Sequence, residues 1–474
     1  MHKSASKQTV TSLHDLSAVD LIAGFRARQF SPSEVLENVL AHIAVWEPHI
    51  KALYAFDPEG ARATAKASTE RWQKGQPSGP LDGVPATIKE NIATKGVPVP
   101  LGAATTTKLV PAAADAPPAA RLREAGAVIF SKTTMPDYGM LSSGISSFHP
   151  LTRNPWDLSK NPGGSSAGAG AAGAAGYGPL HLGTDIGGSL RLPACWCGLV
   201  ALKPSLGRIP IDPPYVGRVA GPITRIVDDA ALMMSVLSLP DSRDGMSLPP
   251  NDFDWNIRAR PPKGLRIGLM LDLGVGQALE QEVREVAVKA ARAFEATGAI
   301  VTEVSGILTR EMLDGLDNFW RARMWDDLSR LTPAERAKAL PYICKWAEAG
   351  AKLSGVDVVR GFNATMAIRS AAAKLFADID YVISPVSPVV NFAAELAAPI
   401  NDPDKPFEHI AYTVPWNMSE NPAVSINGGF SAGGFPIGVQ IVGRRFDDLG
   451  VLGMAKAFEA MRGAQRPWPS PPVK

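Results

Sequence analysis

The apolar positions of this chain follow a recurring order: amphipathic helix, glycine stop, short buried strand. Ser31-Pro32-Ser33-Glu34 supplies an N-cap, a proline at the first helical position and an acidic residue three positions after the cap. Val35, Leu36, Val39, Leu40 and Ile43 then share one face of a 3.6-residue period. A shorter helix starts at Ser17 in the same manner. Residues 118–125 read as helix, Gly126 as its stop, and Ala127-Val128-Ile129-Phe130 as a buried strand. The order returns with a strand at 265–270, a helix at 278–296, Gly298 past its end and a strand at 299–304. This repetition predicts an α/β fold whose mixed or parallel sheet is covered by helices on both faces.

Between about 309 and 376 the pattern is helical without clear strands, and it is rich in aromatics: Phe319, Trp320, Trp325, Tyr342, Trp346 and Phe362. These helices are expected to pack onto the core and to border a pocket. Tyr381-Val382-Ile383-Ser384 and residues 437–442 read as strands, and 449–461 as a closing helix. Without an internal repeat or long linker, the reading is one domain over 1–474 with a helical insertion at 309–376.

Composition narrows the function classes. Apolar residues make up 45% of the 474 positions and charged residues 20%, ordinary for a chain with a sizeable core. The net charge is +2 with both signs interleaved, so neither nucleic acid nor a membrane surface is an expected partner. Met1-His2-Lys3-Ser4 begins no apolar secretory segment, and 161–184 is too weakly apolar to span a bilayer. Three cysteines cannot build a disulfide framework, which suggests a reduced, cytoplasmic protein. Cys195-x-Cys197 lacks both the usual spacing and a histidine cluster for a metal site, so no metal is expected.

The densest signal is Asn161-Pro162-Gly163-Gly164-Ser165-Ser166-Ala167-Gly168, followed by Gly183-Thr184-Asp185-Ile186-Gly187-Gly188-Ser189-Leu190-Arg191. Glycine pairs beside a serine let backbone N–H groups crowd around one point, which suits a phosphate or an oxyanion. Gly168-Ala169-Gly170-Ala171-Ala172-Gly173 matches the dinucleotide fingerprint in letters, yet no hydrophobic strand precedes it. Gly164 to Gly168 fits the hydrolase elbow around Ser166, again without a strand leading in. None of the seven histidines lies in a setting that resembles a triad arm, and His181 reads as a strand residue. A serine enzyme without an eligible histidine needs another base, such as a desolvated lysine. Lys89 ends the apolar run Gly83-Val84-Pro85-Ala86-Thr87-Ile88. By position alone, a strand-end lysine more often reaches solvent.

These segments closely resemble the amidase signature family. The resemblance extends to Asp82-Gly83-Val84-Pro85 with Lys89-Glu90-Asn91, Lys132-Thr133-Thr134-Met135, Asn154-Pro155-Trp156 and Leu202 to Arg208. Pro422-Ala423-Val424-Ser425 and Gly434 to Gly443 are similar to the family's closing block, so the likeness covers most of 15–460 in family order. It implies the family's single-domain fold, acyl C–N bond hydrolysis and no cofactor. By position it implies Ser189 as nucleophile, Ser165 as the relay serine after a cis peptide, and Lys89 as base. The separation of residues 165 and 189 equals the family's. Backbone amides of Ile186, Gly187, Gly188 and Ser189 would form the oxyanion hole, with Ser166, Thr184, Asp185 and Arg191 holding the loop. The chain departs from the pattern at Ala167, at Asn421 and at Cys195-Trp196, which touches pocket shape rather than catalytic groups.

Substrate choice is less legible. Met135, Tyr138, Met140, Phe148, Tyr215, Trp320, Trp325 and Trp416 are the candidate pocket residues, and as a set they suggest apolar or aryl amides. Carbamates and esters offer the same carbonyl to the same triad. Membership of an amidotransferase complex is a further alternative implied by the resemblance. A small-molecule substrate is expected in every case but the last, and monomer and homodimer both stay open.

Overall fold

The computed structural model describes residues 12–472, so the N-terminal tetrapeptide lies outside the described residues. Ser31 and Glu34 close the expected capping box on helix Pro32–Ile50, whose apolar face (Val35, Leu36, Val39, Leu40, Ile43) is buried. Ser17 caps helix Ala18–Ala27 through the Asp20 amide.

Eleven strands form one sheet. In chain order they are β1 (Leu53–Tyr54), β2 (Pro85–Lys89), β3 (Val128–Thr133), β4 (Leu180–Asp185), β5 (Val200–Lys203), β6 (Val219–Thr224), β7 (Arg266–Leu269), β8 (Ile300–Glu303), β9 (Tyr381–Pro385), β10 (Ala423–Phe430) and β11 (Pro436–Gly443). Their spatial order is β1-β3-β2-β4-β6-β5-β10-β11-β9-β7-β8. β2 runs parallel to both β3 and β4, and β7 runs parallel to both β8 and β9. The central strands β4, β6, β5, β10, β11 and β9 pair antiparallel. The sheet is therefore mixed. The sequence pattern did not reveal β6, because Gly221 and Pro222 stand inside it and ordinarily interrupt strands.

Alternation along the strands feeds two cores. Leu202, Val424, Ile441 and Ile383 face one side, beneath helices Val227–Leu237, Gln281–Ala296 and Asp448–Met461. Ala423, Val442 and Val382 face the other, with Leu192 and Trp196 of helix Arg191–Cys197 and the helices Arg310–Ser329, Pro341–Glu348 and Gly355–Asp378. Among the described residues no helix is long and apolar enough to cross a membrane.

Gly168-Ala169-Gly170-Ala171-Ala172-Gly173 lies inside the wholly buried helix Ala167–Ala175. A Cβ at Gly168 would stand 2.2 Å from the Ala52 carbonyl oxygen, so the small residues there permit close packing.

Candidate active site

Because β2 and β4 are parallel neighbours, they end at the same edge of the sheet, where α/β proteins place their sites. Lys89 is the last residue of β2, and Thr184 and Asp185 end β4. The loop from β4 into helix Arg191–Cys197 carries Ser189. Ser165 precedes helix Ala167–Ala175, after a cis Gly164–Ser165 peptide.

Lys89 is fully buried, and its Nζ lies 2.8 Å from Ser165 Oγ and 3.0 Å from Thr184 Oγ1. Asn91 donates to the same Thr184 hydroxyl at 3.1 Å. No carboxylate of the described residues touches the amine. Burial lowers the Lys89 pKa to about 7, although Asp185 and Glu90 act from a distance to raise it. Lys132 and Lys203 are buried too and are lowered to about 8 and about 7, again by desolvation. Their amines meet backbone carbonyls, of Ile92 and Pro204 respectively. A low pKa alone does not single out Lys89; contact with a serine hydroxyl does.

Ser166 stitches the two loops together. Its hydroxyl donates to the Thr184 carbonyl at 3.1 Å and accepts the Thr184 amide at 3.3 Å, while its own amide donates to the Ser189 carbonyl at 3.3 Å. The Ser189 and Ser165 hydroxyls are not hydrogen-bonded to each other in this conformation. Ser189 is partly exposed and lines a cavity with Ile186 and Gly187.

Asp185 shapes the turn. Its Oδ1 accepts the Gly188 amide at 2.8 Å and its Oδ2 the Leu190 amide at 3.1 Å. Arg191, also wholly buried, meets the same carboxylate through Nε and Nη2, both at 3.0 Å. Burial works to raise the Asp185 pKa, but the charge and hydrogen bonds of Arg191 outweigh it and hold the group at about 2. One expectation needs correction: the Gly188 amide points at Asp185, so it is not a free oxyanion donor. Ile186, Gly187 and Ser189 amides have no internal acceptor among the described residues. Gly188 has φ +134°, and a Cβ there would stand 2.5 Å from Thr413 Oγ1.

Several partners were invisible in the sequence pattern. Thr413 donates its hydroxyl to the Gly187 carbonyl at 2.6 Å, and Asn417 bridges Arg191 and Asp185. Arg191 Nη1 also donates to Gln440 Oε1 and to the Thr413 carbonyl, each at 2.8 Å. Gln440 sits within the closing block quoted above, but nothing local marks its role.

Of the pocket candidates, Met140 and Trp320 line the cavity beside Ser189, and with Tyr138 they line a neighbouring one bounded by Thr184. The others do not. Met135 and Trp416 are core residues, Trp416 packing on Phe376. Phe148 packs edge-on to Tyr54 and His149. Trp325 lies under Arg336, and Tyr215 is stacked by Arg323. Large rings are buried wherever apolar surface is available, so aromatic content alone did not separate wall from core. Tyr342, Trp346, Phe407 and His409 complete the wall around Ser189. His409 is buried with both ring nitrogens unpartnered, and desolvation lowers its pKa to about 3.

Cys195 and Cys197 are free, buried thiols, and burial pushes the Cys195 pKa up to about 12. Among the described residues no group of three or more potential ligands is placed to hold a metal.

Known proteins are similar to this one across nearly the whole chain. The chain is 33% identical to an acylamidase of Rhodococcus erythropolis, covering 97% of each. It is 32% identical to a glutamyl-tRNA(Gln) amidotransferase subunit of Lachnospira eligens, covering 95% of this chain and 99% of that one. The crystal structure of a bacterial aryl acylamidase of the amidase signature family superimposes with a TM-score of 0.88 at 29% identity, covering 95% of this chain and 96% of that one. The amidase family model matches residues 34–452. With that span of the chain accounted for, and with the glycine–serine loops at the edge of an eleven-stranded mixed sheet, this protein belongs to the amidase signature family.

Proposed function

We propose that the chain hydrolyses amides of apolar or aryl groups through an acyl-enzyme on Ser189, with Ser165 and Lys89 as the proton relay. The carrying observation is a buried, carboxylate-free Lys89 amine 2.8 Å from Ser165 Oγ. At a pKa of about 7 much of the amine is neutral at physiological pH and has a lone pair to accept a proton.

The steps follow from that placement. Ser165 passes its proton to Lys89 and takes the proton of Ser189, whose oxygen attacks the amide carbonyl. The resulting oxyanion is met by the amides of Ile186, Gly187 and Ser189, and each such donor is typically worth about 10²–10³ in rate. Ser165 returns a proton to the departing nitrogen, the C–N bond breaks, and the amine leaves. Water then adds to the acyl-enzyme by the same relay and frees the acid. The relay requires the Ser189 hydroxyl to turn to Ser165 once substrate is bound, when catalytic hydrogen bonds commonly tighten. No step calls for a cofactor.

The apolar wall of Met140, Trp320, Tyr342, Trp346 and Phe407 supports apolar and aryl groups, as does the similarity to acylamidases. The test compares kcat/KM for anilides, alkyl amides, aryl esters and carbamates with purified chain, using Ser189→Ala as control. Turnover by Ser189→Ala at the wild-type rate would overturn the assignment; ester or carbamate preference would redirect the substrate class while keeping the triad.

A second reading, as one component of an amidotransferase complex, is favoured by the 32% identity to the Lachnospira eligens protein. Full hydrolytic turnover by the chain without partners would exclude it.

A further inference from the structure

Trp320 and Met140 line both the cavity beside Ser189 and a second chamber, which is bounded by Thr184 and Asn91. Two arginines enter its wall: Arg218, just before β6, and Arg323, on helix Arg310–Ser329. The Arg218 guanidinium donates to the Pro213 carbonyl, and the Arg323 guanidinium stacks 4.1 Å from the Tyr215 ring centre. Arg218 approaches the same ring at 5.9 Å, so both cations lie near Tyr215.

Neither arginine has an ion-pair partner among the described residues. Asp212 and Asp327 share the chamber wall but are exposed and form no pair with them. On the same helix, Arg321 and Arg330 each pair with the aspartate four residues earlier. Arg323 has Phe319 rather than an aspartate four residues earlier, and stacks on Tyr215. Burial, and then repulsion from Arg323, lower the Arg218 pKa to about 10. Two half-buried like charges aimed at one space cost free energy that a bound anion would recover.

We infer that this chamber receives an anionic group of the substrate, a carboxylate above all, so that preferred substrates carry a negative charge remote from the scissile bond. Guanidinium groups suit this because their donors match a carboxylate edge-on and stay charged at any physiological pH. The inference rests on the amide-hydrolase reading above.

Two matched substrate pairs test it. On the acyl side, adipic acid mono-4-nitroanilide is compared with hexanoic 4-nitroanilide; on the amine side, N-acetyl-4-aminophenylacetate with N-acetyl-4-ethylaniline. The wild type is expected to favour the charged member of at least one pair by roughly tenfold or more in kcat/KM, a gain that salt diminishes. In an Arg218→Gln/Arg323→Gln double variant that ratio should collapse toward one, and the corresponding double Lys variant should restore part of it. Equal turnover of both members in both pairs, or a preference that survives in the Gln variant, overturns the inference.

Binding reads the chamber without turnover. Calorimetry of adipate and phenylacetate with Ser189→Ala protein should show at least one of them bound, and roughly tenfold more weakly once both arginines are Gln. Absence of binding by either acid, or equal binding with and without the arginines, overturns the inference. This readout does not depend on hydrolysis, so failure of the anion chamber is distinguishable from failure of the catalytic reading.

Discussion

Arg191 grips Asp185 side-on, through two nitrogens each 3.0 Å from a different carboxylate oxygen, in a place neither solvent nor substrate reaches. That pair holds the loop bearing Ser189, because the same carboxylate fixes the Gly188 and Leu190 amides. Replacing Asp185 by Ala strands a guanidinium charge in the interior, at a cost of about 3–5 kcal/mol. The expected result is a large drop in the denaturation midpoint. An unchanged midpoint would mean the pair contributes nothing to the fold.

The same group links stability to acid. Held at about 2, below the ordinary 3.8, Asp185 contributes stability that is complete above pH 4 and lost as pH falls through 2. Urea titrations from pH 5 to pH 2 should show a shallower acid loss in Asp185→Asn than in wild type. Parallel curves would place the acid sensitivity elsewhere.

Lys89 ties activity to pH in the same direction. Its proton must be absent for it to act as base, so kcat/KM should rise through an acid limb with a midpoint near pH 7. Lys89→Ala should lose at least roughly 10³ of the rate together with that limb. A variant that keeps the limb would assign the ionisation to another group.

Lys89 also carries a stability penalty. Its folded pKa of about 7 lies below the unfolded value of 10.5, so the cost of burying the charge is full below pH 7 and relieved as pH rises toward 10.5. Lys89→Met should therefore be inactive yet more stable at pH 6, by on the order of 1–2 kcal/mol, with the gain shrinking by pH 10. Thermal melts at both pH values measure this. A methionine variant less stable at pH 6 would show that the hydrogen bonds to Ser165 and Thr184 outweigh the desolvation.

His409 places an imidazole in the Ser189 wall, which makes it the rival base. It makes no hydrogen bond to Ser189, and burial takes its pKa to about 3, far below the range of an effective general base. His409→Gln should change substrate preference through the wall it lines and leave the midpoint of the pH–rate profile in place. Loss of the acid limb in that variant would move the base from Lys89 to His409.

The sheet and its helices were legible wherever local periodicity carries the signal: the capping box at Ser31, the strand ending at Lys89 and the helix after 278 are all found close to where the pattern puts them. β6 was hidden because Gly221 and Pro222 are tolerated by its place in the sheet, a condition no window of sequence contains. The serine–lysine cluster was legible through resemblance, since the position of Lys89 alone pointed to solvent. Pocket walls were read least well. Trp416 and Trp320 look alike in sequence, and only tertiary packing decides that one supports Phe376 while the other faces the cavity. The commitment of the Gly188 amide to Asp185 is likewise a matter of rotamer and distance.

Arg191 draws its hydrogen-bond acceptors from Asp185, Thr413, Asn417 and Gln440, so its coordination is finished by residues synthesised long after Ser189. A nascent chain therefore holds Lys89, Ser165 and Ser189 well before it holds the clamp on the Ser189 loop. A fragment ending before β11 would carry Lys89, Ser165 and Ser189 beside an Arg191 that lacks the Gln440 contact.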